Sequence, residues 1–123
     1  MFRILLVEDD RALKEILKLE LTESFPSIII EEASNGKKAR EMIDSFCPHL
    51  ALIDIRLPDE SGLRVAKELK AKCPDTAIAI LTSYDFPEYE KAALELGVSH
   101  YFIKTRMGRD EIDGMINSLL NNS

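Results

Sequence analysis

A three-layer, doubly wound α/β fold with five parallel strands is what this 123-residue sequence predicts. Three observations carry the prediction. Short runs rich in Val, Ile and Leu alternate in strict rotation with longer stretches whose apolar residues recur at helical spacing. The runs are almost continuously apolar, as strands covered on both faces are, and a right-handed crossover lays each helix back on the sheet. With 46% of residues apolar and 31% charged, the chain is long enough for one packed core and too short for two domains.

The elements follow in order. "FRILLV" (2–7) is the first strand, and Asp10 is a candidate cap for a helix with its stripe at Leu13, Ile16, Leu17 and Leu21. "SIIIEE" (27–32) precedes Asn35, a second candidate cap, and a stripe at Ala39, Met42, Ile43 and Phe46. "HLALID" (49–54) leads to a weaker stripe of Val65, Ala66 and Leu69. "TAIAILT" (76–82) leads to Tyr89, Ala92, Ala93 and Leu96, with Pro87 suited to the first helical turn and Gly97 to the residue just past the end. "SHYFIK" (99–104) leads to the cleanest stripe, Ile112, Met115, Ile116, Leu119 and Leu120. One domain is expected over residues 1–121, with 122–123 a tail or the start of a linker.

Composition removes several function classes. A net charge of −6 supplies no field for gripping nucleic acid, and the cluster Lys104, Arg106 and Arg109 is short and mixed. No apolar run approaches the ~20 residues of a membrane span. The run from Ile4 to Val7 passes straight into Glu8, Asp9 and Asp10, unlike a secretory leader. Cys47 and Cys73 follow no metal-ligand spacing and read as free thiols of a cytoplasmic protein.

Polar groups at the strand ends then point to chemistry. Glu8, Asp9 and Asp10 follow the first strand, Asp54 closes the third, Thr82 and Ser83 the fourth, and Lys104 the fifth. Ligands of open parallel sheets bind in the crevice outside the carboxyl ends of the strands. In the order 2-1-3-4-5 the first and third strands are neighbours, so Asp9 and Asp54 share a pocket, and like charges that close require a cation. Hard oxygen ligands without His or Cys favour Mg²⁺ or Mn²⁺ over zinc. A carboxylate, a metal, a lysine and a hydroxyl suffice for phosphoryl transfer to Asp54. Plainer readings exist for each residue alone: Asp10 as a helix-terminal acid, Asp54 as a turn former before "LPDESG", Thr82 as a β-former, Lys104 as a solvated strand end. Their convergence at one sheet edge overrides these readings for all but Asp10. His49 and His100 adjoin strand starts, at the opposite edge.

"LLVEDD", "LALIDIRLPDESG", "AILTS" and "GVSHYFIK" resemble the defining segments of response-regulator receiver domains, over residues 2 to about 120. The resemblance implies a flavodoxin-like receiver fold and a signalling switch rather than an enzyme acting on other substrates. It implies that Asp54 accepts a phosphoryl group from a histidine kinase or phosphotransfer protein, and that Asp9, Asp54, the carbonyl of Arg56 and, in support, Glu8 hold Mg²⁺. Thr82 and Lys104 would hold the phosphoryl oxygens. Tyr101 matches the family's switch aromatic, though a strand tyrosine beside Phe102 also suits a core. The surface of the fourth helix, fifth strand and fifth helix would then change to control an output domain, a partner or a homodimer.

The sequence departs from the family pattern at Thr105, where proline usually follows the lysine in a cis peptide. A cis bond before threonine costs ~3–4 kcal/mol against under ~1 before proline, so both a trans bond and a strained cis bond are open. This feature, with "SYDFPEYEKAALELG", resembles receivers of the nitrate/nitrite-regulator type with LuxR-type outputs. The resemblance implies that Arg56 and Tyr84 occupy positions flanking the phosphoryl group, and their bulk is expected to slow its hydrolysis. A flavin carrier would need a Ser/Thr/Gly-rich loop where three acids stand, and an aspartate phosphatase a second Asp where Arg56 stands. The runner-up is a receiver-shaped interaction module that works unphosphorylated. No recognisable output domain follows Leu120, so the chain reads as a single-domain relay or the receiver of a longer regulator.

Overall fold

Continuous apolar runs become central strands because both faces of the sheet are covered. In a computed structural model describing residues 1–121, the strands are β1 (Arg3–Val7), β2 (Ile29–Ala33), β3 (Leu50–Asp54), β4 (Ala77–Thr82) and β5 (His100–Ile103). They form one parallel sheet in the order β2-β1-β3-β4-β5. The helices are α1 (Arg11–Ser24), α2 (Gly36–Ile43), α3 (Gly62–Lys72), α4 (Pro87–Glu95) and α5 (Arg109–Asn121). The expected tail at 122–123 lies outside the described residues.

Successive side chains on a strand point to opposite faces, which splits the core in two. Leu5, Val7, Ala51, Ile53, Ile78 and Ile80 pack on α2, α3 and α4 through Ile43, Val65, Leu69 and Ala93. Ile4, Leu6, Leu50, Leu52, Ala79 and Leu81 pack on α1 and α5 through Leu17, Leu21, Ile112, Met115 and Ile116. Every residue of β3 is buried, and each large apolar side chain there contributes about 1.5–3 kcal/mol by leaving water.

The caps anticipated at Asp10 and Asn35 form: each side chain accepts a backbone N–H, from Leu13 (3.1 Å) and Lys38 (2.8 Å). Ser61 caps α3 through the Leu63 N–H. Gly97 takes a positive φ of 89° just after α4, where a side chain would be strained. Two stripes are narrower than periodicity suggests. Ile16 is 53% exposed because α1 buries only the flank carrying Leu17 and Leu21. Phe46 lies beyond the end of α2, and its ring instead supports the Arg3 guanidinium, 4.0 Å away.

The reading of Cys47 and Cys73 as free thiols is corrected: the two are joined in a disulfide. Their loops, one entering β3 and the other leaving α3, meet at the amino end of the sheet and bring the Cα atoms to 5.7 Å. A separation of 26 residues with no local spacing rule left this invisible before folding. Among the described residues no peptide is cis, so Lys104–Thr105 is trans.

Candidate functional site

Strand register assembles the site. Val7 pairs with Ile53, so Glu8 and Asp54 emerge side by side at the carboxyl ends of β1 and β3. Thr82 pairs with Ile103, so Lys104 emerges next to the end of β4, and its N–H bonds the Thr82 carbonyl at 2.8 Å. The chain must then turn away from Asp54 sharply. Gly62 starts α3 so close to Asp54 that a Cβ there would overlap the Asp54 carbonyl oxygen, while the Gly62 N–H bonds the Ile55 carbonyl at 2.7 Å.

The structure gathers Glu8, Asp54, Thr82 and Lys104 at one floor, with Asp9 on the rim. Glu8 is fully buried, Asp54 is 5% exposed and Thr82 is buried, whereas Asp9 is exposed. The Lys104 ammonium lies 2.6 Å from Glu8 Oε1 and 3.1 Å from Asp54 Oδ2. Asp54 Oδ1 accepts from the Arg56 N–H at 3.2 Å, and Glu8 Oε2 from the Asp10 N–H at 3.1 Å. Carboxylate oxygens of Glu8, Asp9 and Asp54 lie within 4.8 Å of one another.

Burial pushes the Glu8 carboxyl above its usual range, opposed by Lys104 and the Asp10 N–H. Burial alone would lower Lys104, but its contact with Glu8 and the charges of Glu8 and Asp54 outweigh it and raise the ammonium. One lysine among three carboxylates leaves a surplus of negative charge on a dense set of hard oxygens. That donor set fits Mg²⁺.

Tyr84 links the remaining candidates. Its N–H donates to Thr82 Oγ1 at 3.1 Å, its ring carries the Arg56 guanidinium at 4.3 Å, and its carbonyl accepts from the Tyr101 hydroxyl at 3.5 Å. Tyr101 is half-buried against the α2–α3–α4 side of the core, and burial, then Glu90 and Asp85, raise its phenol.

Sequence reasoning missed Asp59. Its carboxylate accepts from the Gly36 and Lys37 N–H groups (2.8 and 3.0 Å), clasping the loop after β3 to the first turn of α2. Arg40 reinforces the clasp by pairing with Glu60 and, at 2.8 Å, with Glu68. Asp59 lies in "LPDESG", but its partners are 22 and 23 residues away, so only the fold identifies them.

Comparison with known proteins agrees with this geometry. The family model for the response regulator receiver domain matches residues 4–117. The chain belongs to that family. The transcriptional regulatory protein YdfI of Bacillus subtilis is 38% identical over 104 residues, covering 85% of this chain and 48% of that protein. This receiver domain spans about half or less of the length of the curated relatives it matches first. Among solved structures, the response regulator TrrA of Thermotoga maritima, crystallised in complex with Mg²⁺–BeF, is 33% identical with a TM-score of 0.83, covering 97% of this chain and 99% of that one. A CheY-like receiver domain protein of Methanospirillum hungatei JF-1 is 27% identical with a TM-score of 0.87, covering 98% and 95%.

Proposed function

We propose that this receiver domain is a phosphorylation-operated switch with Asp54 as phosphoacceptor. The observation that carries the reading is the clamped Asp54 carboxylate: Lys104 holds one oxygen and the Arg56 N–H the other, at the floor of a crevice with Thr82 beside it. An Asp54 oxygen attacks the phosphorus of a phosphohistidine on a sensor kinase or phosphotransfer protein; the O–P bond forms as the P–N bond breaks, and the imidazole leaves. Lys104 follows the charge from carboxylate to phosphoryl oxygen. The Thr82 hydroxyl, now accepting from Tyr84, is free to donate to a second phosphoryl oxygen. Asp9, Asp54, the Arg56 carbonyl and Glu8 are the residues that would hold Mg²⁺, which supplies charge neutralisation at the transferred group.

Movement of Thr82 changes its contact with Tyr84 and hence the segment that Tyr101 touches, passing the signal to the surface of α4, β5 and α5. The relatives' names, and their greater length, support an output domain for transcription control; Thr105 after Lys104 favours one of LuxR type. A homodimer is the alternative recipient, and the cytoplasm is the compartment such a relay needs.

Acetyl phosphate with Mg²⁺ tests the reading by intact mass. One phosphoryl adduct is expected on wild type, and none on Asp54→Ala or without Mg²⁺. No adduct on wild type would make the protein an unphosphorylated interaction module instead. The guanidinium of Arg56, two residues past Asp54, stacks on the Tyr84 ring, and this bulk would hinder water, so Arg56→Asn and Tyr84→Glu should each hydrolyse the acyl phosphate several-fold faster. Unchanged decay in both would remove their lifetime role.

A further inference from the structure

The amino end of the sheet holds chemistry the phosphoryl switch does not use. Cys47 lies in the loop entering β3, and Cys73 caps the carboxyl end of α3. The two residues differ in burial. Cys73 is 3% exposed and packs into the core under α3, whereas Cys47 is exposed. The Cys73 N–H bonds the Leu69 carbonyl at 2.7 Å, which fixes Cys73 at the end of α3. Both cysteines border a recess of about 540 Å³ lined also by Phe2, Pro48 and His49, ample for a small thiol. A second recess of about 420 Å³ reaches them from the side of Asp44 and Ser45.

We propose that the Cys47–Cys73 bond is a reversible redox-modification site, opened from solvent by a dithiol reductant that attacks the Cys47 sulfur. The incoming thiolate forms a mixed disulfide with Cys47 and breaks the bond to Cys73, whose sulfur departs with the electron pair and takes up a proton. The reductant's second thiolate then attacks its own bound sulfur and releases Cys47. The reductant leaves as a disulfide, and two electrons have passed to the protein. Closure is the reverse reaction with a disulfide oxidant. Burial sets the direction, because Cys47 is an exposed residue and Cys73 a buried one. In a compartment that holds dithiols, such a bond is transient, so oxidation state becomes a second covalent input.

The cross-link encloses β3 and α3 yet sits at the opposite end of β3 from Asp54. The two inputs are therefore separately addressable, and this proposal does not depend on phosphorylation of Asp54.

The test treats folded wild-type protein first with a disulfide oxidant, then with dithiothreitol, followed by a short iodoacetamide pulse and peptide mapping. The oxidised form is expected to offer no alkylatable thiol and the reduced, still folded form two, with Cys47 labelled about tenfold or more faster than Cys73. In Cys73→Ser, glutathione disulfide should cap Cys47; in Cys47→Ser, Cys73 should stay uncapped until denaturant is added. Hydrogen exchange should quicken on reduction in residues 44–50 and 72–77. Thiols that stay free after the oxidant, a bond that opens only in denaturant, or faster labelling of Cys73 would each overturn the proposal.

Discussion

The two ends of β3 are opposites. At the carboxyl end, Asp54 sits among Glu8, Asp9 and Lys104 in a crevice dense with charge; at the amino end, the Cys47–Cys73 bond joins two loops beside the stacked rings of Phe2 and His49. One strand connects them, buried throughout. Crowding carboxylates costs stability and gives chemistry, whereas a cross-link gives stability and leaves the chemistry alone. Parallel strands permit this division, because every strand delivers its last residue to one edge and its first to the other.

The sharpest way to break the comparison is at the carboxyl end. Asp54→Ala is expected to abolish phosphoryl uptake while leaving the fold intact, since Asp54 adds no apolar packing and its loss removes one of three crowded carboxylates. Intact mass and far-ultraviolet circular dichroism report the two halves of that statement. Unfolding of the variant would mean that the site also holds the sheet together.

The amino end should respond the other way. A loop of this length closed by a disulfide stabilises by about 3.5 kcal/mol through the unfolded chain's lost entropy, so Cys47→Ser should lower the urea midpoint accordingly. Reduced wild type should match the variant, and both should take up the phosphoryl group as oxidised wild type does. A variant that loses uptake would show that the ends are coupled along β3.

How much of this was legible before folding divides along the same line. Asp54, Lys104, Thr82 and the acidic pair Glu8 and Asp9 could be read because each ends a strand whose apolar run is unmistakable, and one topology converges strand ends. Asn35, Asp10, Pro87 and Gly97 could be read because caps and turns are local. The disulfide, the Asp59 clasp and the seat of Phe46 could not, because each partner comes from a loop whose path only tertiary packing sets. Ile16 misled for a related reason: a helical stripe gives a face, but the neighbouring elements decide its width.

Asp59 sharpens the comparison, being an acid at the carboxyl end that serves stability. The N–H groups of Gly36 and Lys37 hold its carboxyl below the usual range. A carboxylate depressed in the folded state stabilises at pH above its unfolded value, and that contribution disappears as pH falls through the folded one. Asp59→Asn should therefore melt below wild type at neutral pH, by less than the cysteine variant, and the gap should close below the ordinary carboxylate range. A gap independent of pH would mean the clasp acts by shape alone.

The smallest expected effect is at Asp9. Its exposed carboxylate lies within 4.8 Å of its acidic neighbours, where like charges in a largely aqueous setting repel by about 0.5–1 kcal/mol before salt screening. Without Mg²⁺, Asp9→Asn should be slightly more stable than wild type. With Mg²⁺ the order should reverse, because a cation that binds only the folded site stabilises the protein holding it more tightly. Melting both proteins with and without Mg²⁺ gives four midpoints, and the two lines are expected to cross. Parallel lines would place the cation elsewhere than on Asp9 and leave the acid on the rim as a helix-terminal charge, the reading that suits Asp10.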